Sequence, residues 1–420
     1  MVVANMIGAG VFTTSGYSFA DLGDRQYVML AWGIGGLIAI CGAVSYGQLA
    51  QRIAQSGGEY LFLSRLLHPA IGFIAGWVSL LAGFTGAIAF AASALESYAL
   101  PDSIRPDWLS PGILGIASIL LFGALHSFVL KTGLRTQNLI VVLKLVLLGG
   151  FITFALLKFP AGWDGMQVQT DEANFSILAL ASTLVWISLS FSGFNAAVYI
   201  TGEVENPKQN VPRAMLLGTM VVTVIYLALN FIFVYGATPQ EITAISDIAA
   251  VASQSIGGDF LAVLLRIIVS VALLSSVSSM IVAGPRVYAQ MASDGVFPKI
   301  FHPTERDQLS IPVTAIWLQV VLASFVVYFS TIRSLLDYLG FTLSVSAALT
   351  VACVFWSRRA QDTGQTHRIY SAIALIYVSA TLGLAVLSVF GRPQQLVGFA
   401  ITIVSGLIVY VLLTRVLRAD

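Results

Sequence analysis

Apolar stretches of about twenty residues alternate along the chain with short polar punctuation, and twenty residues is what a helix needs to cross roughly 30 Å of hydrocarbon. The alternation predicts about twelve helices: 2–19, 27–50, 70–99, 111–130, 137–157 and 175–201 in the first half, then 214–236, 260–290, 312–330, 334–357, 369–390 and 395–417 in the second. Residue-by-residue alternation of the strand type is absent, which argues against an outer-membrane barrel. The loops are short, and neither a soluble domain nor a low-complexity linker divides the chain. The fold class expected is an all-α polytopic membrane protein.

Composition sharpens this reading. A chain of 420 residues that is 57% hydrophobic and 10% charged, with a mean hydropathy of +0.88, has too much apolar surface for water-soluble cores, so a lipid bilayer must be part of its solvent. The net charge of +1 comes from basic residues scattered between spans, with no stripe for nucleic acid. Their placement carries more information. With alternate loops assigned to opposite sides, 14 of the 21 Lys and Arg fall on one side and 5 on the other. The positive-inside rule then puts both termini in the cytoplasm of a multi-pass inner-membrane protein. Cys41 and Cys353 lie inside apolar runs as small buried hydrophobes, and no disulfide framework, metal motif or cofactor is expected. The start, MVVANMIGAGVF, has no basic leader or A-x-A site and reads as mature sequence. Ten residues are too few for a full crossing before the glycines, so whether residues precede them is left open.

Two spans are interrupted at mid-membrane. The first contains Ile7, Gly8, Ala9, Gly10 and Val11, and the sixth contains Ser190, Phe191, Ser192, Gly193, Phe194 and Asn195. Small and polar residues there weaken a helix, and freed backbone groups at that depth are tolerable only where they line a cavity. Interruptions in matching positions of two halves point to a transporter binding site; close packing by small residues is the competing explanation. Half-helix N-termini suit a carboxylate and the opposing C-terminal ends suit an ammonium, so the pair suits a zwitterion such as an α-amino acid. No Asp or Glu lies mid-way in the first, third, sixth, eighth or tenth span, so the pocket is expected to lack a counter-ion for a cationic side chain.

These segments resemble the amino acid-polyamine-organocation superfamily. NMIGAGVF is similar to its Gly-Ser/Ala-Gly signature, and AWGIGGLIAICGAVSYGQLA with SGGEYLFLSRLLHPAIGFIAGW to its second and third helices and their connection. SFSGFNAAVYITGEVENPKQNVPRAM resembles its unwound sixth helix and exit loop, and AGPRVYAQMASDGVFPKIF the end of its eighth. The resemblance implies a LeuT-type five-plus-five inverted repeat, residues 1–158 and 175–357, with two trailing helices at 369–417. It implies alternating access, with Ile7 to Val11 and Phe191 to Asn195 around the substrate and Phe191 or Phe194 as its lid. Gln48 and Gln55 depart from the acidic residue and proline of many relatives, which bears on gating and proton coupling.

Lys144 is a charge in the fifth span, where insertion costs about 2.5–3.5 kcal/mol, so a functional role is the default and snorkelling the alternative. In sodium-independent members of the superfamily a lysine on this helix resembles a substitute for sodium, bridging the first and eighth helices. Ser275, Ser276, Ser278 and Ser279 are its candidate partners. Glu203 and Arg286 form either an inner gate or a solvated structural pair. The expected function is a sodium-independent transporter of a neutral L-amino acid, by exchange or with protons. A cationic amino acid or polyamine exchanger of the same fold, and an amino-acid-binding membrane sensor, are the alternatives. A channel would need a polar pore lining and an enzyme clustered ionisable groups, and the spans offer neither.

Overall fold

The computed structural model describes residues 2–128, 134–159, 175–302, 313–356 and 365–416. The chain starts as a short helix α1 (Val2–Met6), is interrupted at Ile7 and Gly8, and resumes as α2 (Ala9–Leu22). Gly23 closes α2 in the left-handed region, the Asp24 carboxylate caps the next helix by accepting from the Gln26 amide, and α3 (Arg25–Arg52) returns across the bundle. A connecting helix α4 (Gly58–Leu66) leads into α5 (Pro69–Val78), a π-helical stretch at Ser79–Gly86 and α6 (Ala87–Ala99), which together make one 31-residue span.

The next spans are α7 (Ile113–Phe128), α8 (Leu134–Lys158) and α9 (Ile177–Phe191). After the second interruption a 3₁₀ helix runs Ala196–Glu203, and α10 (Pro207–Tyr235) begins with proline at its first turn, where the missing N–H costs nothing. A one-turn helix α11 (Pro239–Ile242), held by a Thr238–Glu241 capping box, precedes α12 (Ile248–Ser293). The remaining spans are α13 (Val313–Phe329), α14 (Ile332–Trp356), α15 (Gln365–Gly391) and α16 (Gln394–Val416). Among the described residues, eight helical runs are long and apolar enough to cross a membrane, and α7 and α13 are shorter apolar helices. With the α1–α2 pair and α8 they make the twelve crossings that hydropathy predicts.

One boundary differs clearly from the sequence reading. The seventh span begins at Pro207 instead of residue 214, with proline in its first turn, whereas Ile248–Ser293 is two helices joined at a kink where Gly257 and Gly258 leave helical φ/ψ, so the eighth span starts next to the predicted residue 260. The second interruption, by contrast, lies within the predicted sixth span.

Packing places both interruptions in the interior. α9 lies against α2, α3, α14 and α15, α10 runs along α3, and α12 packs on α6, α7, α8 and α13. Large apolar side chains such as Leu37, Val224, Phe260, Phe325 and Ile401 point outward, the arrangement of a bundle solvated by lipid.

Candidate substrate site

At the first interruption Gly8 is extended (φ −125°, ψ −157°), which leaves the carbonyls of Met6 and Ile7 outside the helical ladder. Two side chains from other spans meet them. The Tyr226 hydroxyl of α10 reaches the Met6 carbonyl, and the Lys144 ammonium of α8 donates to the Ile7 carbonyl. Lys144 is buried there, so its charge does not snorkel to an interface.

At the second interruption Ser192 leaves the helix (ψ 143°) and Gly193 takes φ +99°, a region open to glycine. The Tyr226 hydroxyl also lies 3.0 Å from the Ser190 carbonyl, so one side chain stands between the two breaks and its single proton serves either carbonyl. The Tyr226 ring packs against Phe191 and Trp32, with centroids 5.0 and 5.4 Å away. Nothing in the sequence distinguishes this tyrosine from other aromatic residues of an apolar span.

The glycines of the first break have different surroundings. A Cβ on Gly10 would lie 2.4 Å from Ser190 Oγ and 2.7 Å from Ser190 Cα, so this glycine lets α2 approach α9 closely. A Cβ on Gly8 would meet nothing nearer than the Met6 carbonyl oxygen at 3.9 Å. Close packing therefore accounts for Gly10 and not for Gly8.

Beside the second break lies a cavity of about 180 Å³. Phe191, Ser192, Gly193, Phe194 and Asn195 all stand on its wall, facing Gly35, Ile38 and Ala39 of α3, Gly83 and Phe84 of the π-helical stretch, and Leu343, Ser344 and Ala347 of α14. The first span contributes Asn5. Ile7, Ala9, Gly10 and Val11 are buried in packing, and the five residues Ile7 to Val11 are not brought onto this wall. Of the two candidate lids, Phe191 is held between Trp32 and Tyr226, and Phe194 stands edge-on to Tyr46 and Tyr377.

Two sequence expectations need correction. The cavity wall does include a carboxylate: Glu59, carried in from the connection between the second and third spans by α4. It is 6% exposed and accepts from Tyr46 Oη (2.5 Å), Asn195 Nδ2 (3.2 Å) and Ser346 Oγ (2.8 Å). Burial raises its carboxyl above the ordinary range, and the three donors oppose that shift. The serines of the eighth span do not meet Lys144. Ser276 donates to the Ala272 carbonyl and Ser279 to that of Ser276, Ser278 pairs with His126, and among the described residues Ser275 shares no hydrogen bond with the ammonium. Serine hydroxyls in an apolar helix readily satisfy themselves on their own backbone. The Glu203 side chain, and with it the Glu203–Arg286 pair, lies outside the described residues.

A second polar cluster closes the opposite end of α2. Asp21 accepts from Arg333 (3.0 Å) of α14 and Arg392 (2.5 Å) of the α15–α16 turn. The Arg392 guanidinium lies 4.5 Å from the centroid of Trp186, whose indole N–H donates to Asp337 (2.8 Å).

A family model described as amino acid permease matches residues 1–413. The chain is 24% identical to the human large neutral amino acids transporter small subunit 2, across 98% of this chain and 78% of that protein. It is 27% identical to the serine/threonine exchanger SteT of Bacillus subtilis, across 86% of this chain and 81% of that one. Among solved structures, MhsT in complex with L-phenylalanine superposes with a TM-score of 0.61, covering 92% of this chain and 97% of its own at 16% identity. That likeness identifies the LeuT-type fold.

Proposed function

Because the chain belongs to the amino acid permease family, we propose that it moves a neutral L-amino acid across the cytoplasmic membrane by alternating access, without sodium. The observation that carries this reading is the meeting of two helix breaks at Tyr226 beside a mostly apolar cavity. The second break brings backbone released from its helix onto the cavity wall, which suits the charged groups of a zwitterion, and the apolar remainder of the wall suits its side chain. Both relatives are named for neutral amino acids, which supports the same cargo here.

Sodium independence is supported by Lys144, whose Nζ occupies the carbonyl freed at Ile7. Neutrality of the cargo is supported by Glu59 in an unforeseen way. Its carboxylate disfavours an anionic side chain on the same wall, and its oxygens are already met by three donors, so a cationic side chain would have to displace one of them. We assign residues 1–158 and 175–357 to the two inverted repeats and 369–417 to the trailing pair, with both termini cytoplasmic, a placement that the excess of loop Lys and Arg on one side supports.

The test is uptake in proteoliposomes, with a panel of neutral, cationic and anionic amino acids and amines as competitors. It is run with and without sodium, a proton gradient and internal amino acid. Neutral L-amino acids should compete and sodium should have no effect. Stimulation by internal substrate identifies exchange, and stimulation by an inward proton gradient identifies symport. Competition by cationic compounds alone, or a requirement for sodium, overturns the reading.

A further inference from the structure

The polar side chains on the cavity wall are largely turned toward one another. Ser188 donates to the Val185 carbonyl (2.6 Å), so the contact between its Oγ and that of Ser344 (2.6 Å) uses the Ser344 proton. Neither hydroxyl keeps a proton for a ligand. Asn195 is different. Its Nδ2 points at Glu59 Oε1, which also accepts from Tyr46. Both Glu59 oxygens act as acceptors, Oε1 for the Tyr46 hydroxyl and Oε2 for the Ser346 hydroxyl, so the network fixes which end of the Asn195 amide faces it. The amide oxygen must point the other way. Asn195 is half-buried on the cavity wall, and its Oδ1 has no partner among the described residues.

We propose that Glu59 is a positioning residue that holds the Asn195 carboxamide with its oxygen toward the cavity, and that this oxygen selects neutral amino acids whose side chain donates a hydrogen bond over apolar ones of the same size. The proposal rests on the reading of this cavity as the substrate site. A hydroxyl or carboxamide side chain satisfies the acceptor. An isosteric apolar side chain takes water from it and returns nothing, which is the asymmetry by which sites built to hydrogen-bond a substrate reject analogues lacking the group.

Threonine and valine have the same shape and differ by a hydroxyl in place of a methyl, so competition between them against one tracer reads the effect directly. In wild-type proteoliposomes L-threonine should displace the tracer at a concentration about tenfold lower than L-valine. Asn195→Ala should bring that ratio to within about twofold of one, and Glu59→Leu should do the same by freeing the amide to turn. Glu59→Gln should keep the preference: its remaining oxygen can still accept from Tyr46 and Asn195, and its amide nitrogen can donate to Ser346 Oγ. That rescue separates positioning from a role of the negative charge. Equal competition by threonine and valine in the wild type overturns the proposal and leaves neutral amino acid transport standing. Failure of both to compete overturns the underlying reading instead. A preference that survives Asn195→Ala, or is lost in Glu59→Gln, also overturns it.

Discussion

Lys144 and Ile7 meet where the first helix breaks: a lysine from the middle of α8 donates its ammonium to the carbonyl that the extended Gly8 frees. At membrane depth neither group has water to fall back on, so each is the other's solvation. Lys144→Ala leaves the Ile7 carbonyl without a donor. Uptake should fall by more than about tenfold at unchanged protein in the membrane, since an unmet buried acceptor costs about 1–3 kcal/mol. Sodium at any concentration should not restore it. Normal uptake in this variant would mean that the contact is dispensable.

Tyr226 ties the two interruptions to each other through one hydroxyl, against the carbonyls of Met6 and Ser190. Tyr226→Phe keeps the ring against Phe191 and Trp32 and removes only the donor. A loss of about 1–3 kcal/mol follows from the unmet carbonyls. It should appear as a lower Tm in detergent and, because the second break lines the cavity, as a raised KM. A change in Tm alone would show that the hydroxyl serves the fold and not the site.

The span pattern was legible because it depends only on the length of apolar runs, which lipid thickness dictates. The breaks were legible because glycine and serine stand out in such runs. Glu59 was not. In sequence it belongs to a connection between spans, and only the packing of α4 into the bundle brings it to the cavity wall beside Asn195. Tyr226 was hidden for the opposite reason: an aromatic residue within an apolar span has no local signal, and its role comes from two carbonyls that are 36 and 220 residues away in the chain. Serines 275 to 279 drew attention as polar residues in a membrane helix, yet local backbone acceptors or His126 take up three of their four hydroxyls.

Asp21 gathers two arginines, one from α14 and one from the α15–α16 turn, and so fastens the trailing pair of helices to the end of α2. Asp21→Asn should loosen that end. The groups are partly exposed, so the pair is worth about 1 kcal/mol, between values for surface and buried bridges, or roughly a fivefold shift between closed and open states. A cysteine at Leu184 on the cavity wall, in a background lacking Cys41 and Cys353, reports the change. It should react faster with a membrane-impermeant thiol reagent applied from the side on which Asp21 lies. An unchanged rate would assign the cluster to static packing.

Gly8, Gly10 and Gly193 make up the glycines of the two interruptions, and their surroundings predict an order of tolerance. Alanine at Gly10 drives a methyl group into the Ser190 backbone at 2.7 Å, where α9 cannot yield without moving the second break. Overpacking of this kind costs about 1–3 kcal/mol. Alanine at Gly193 is strained by its positive φ and meets the Asn5 carbonyl at 3.0 Å. Alanine at Gly8 has open space and a φ that any residue adopts. Thermal unfolding in detergent should therefore rank Gly10→Ala and Gly193→Ala well below Gly8→Ala, with Gly8→Ala near the wild type. A bulky Gly8→Leu should still fold and yet reduce uptake, because the space it fills borders the first break. Equal loss of Tm in all three alanine variants would mean that the glycines serve helix packing alone.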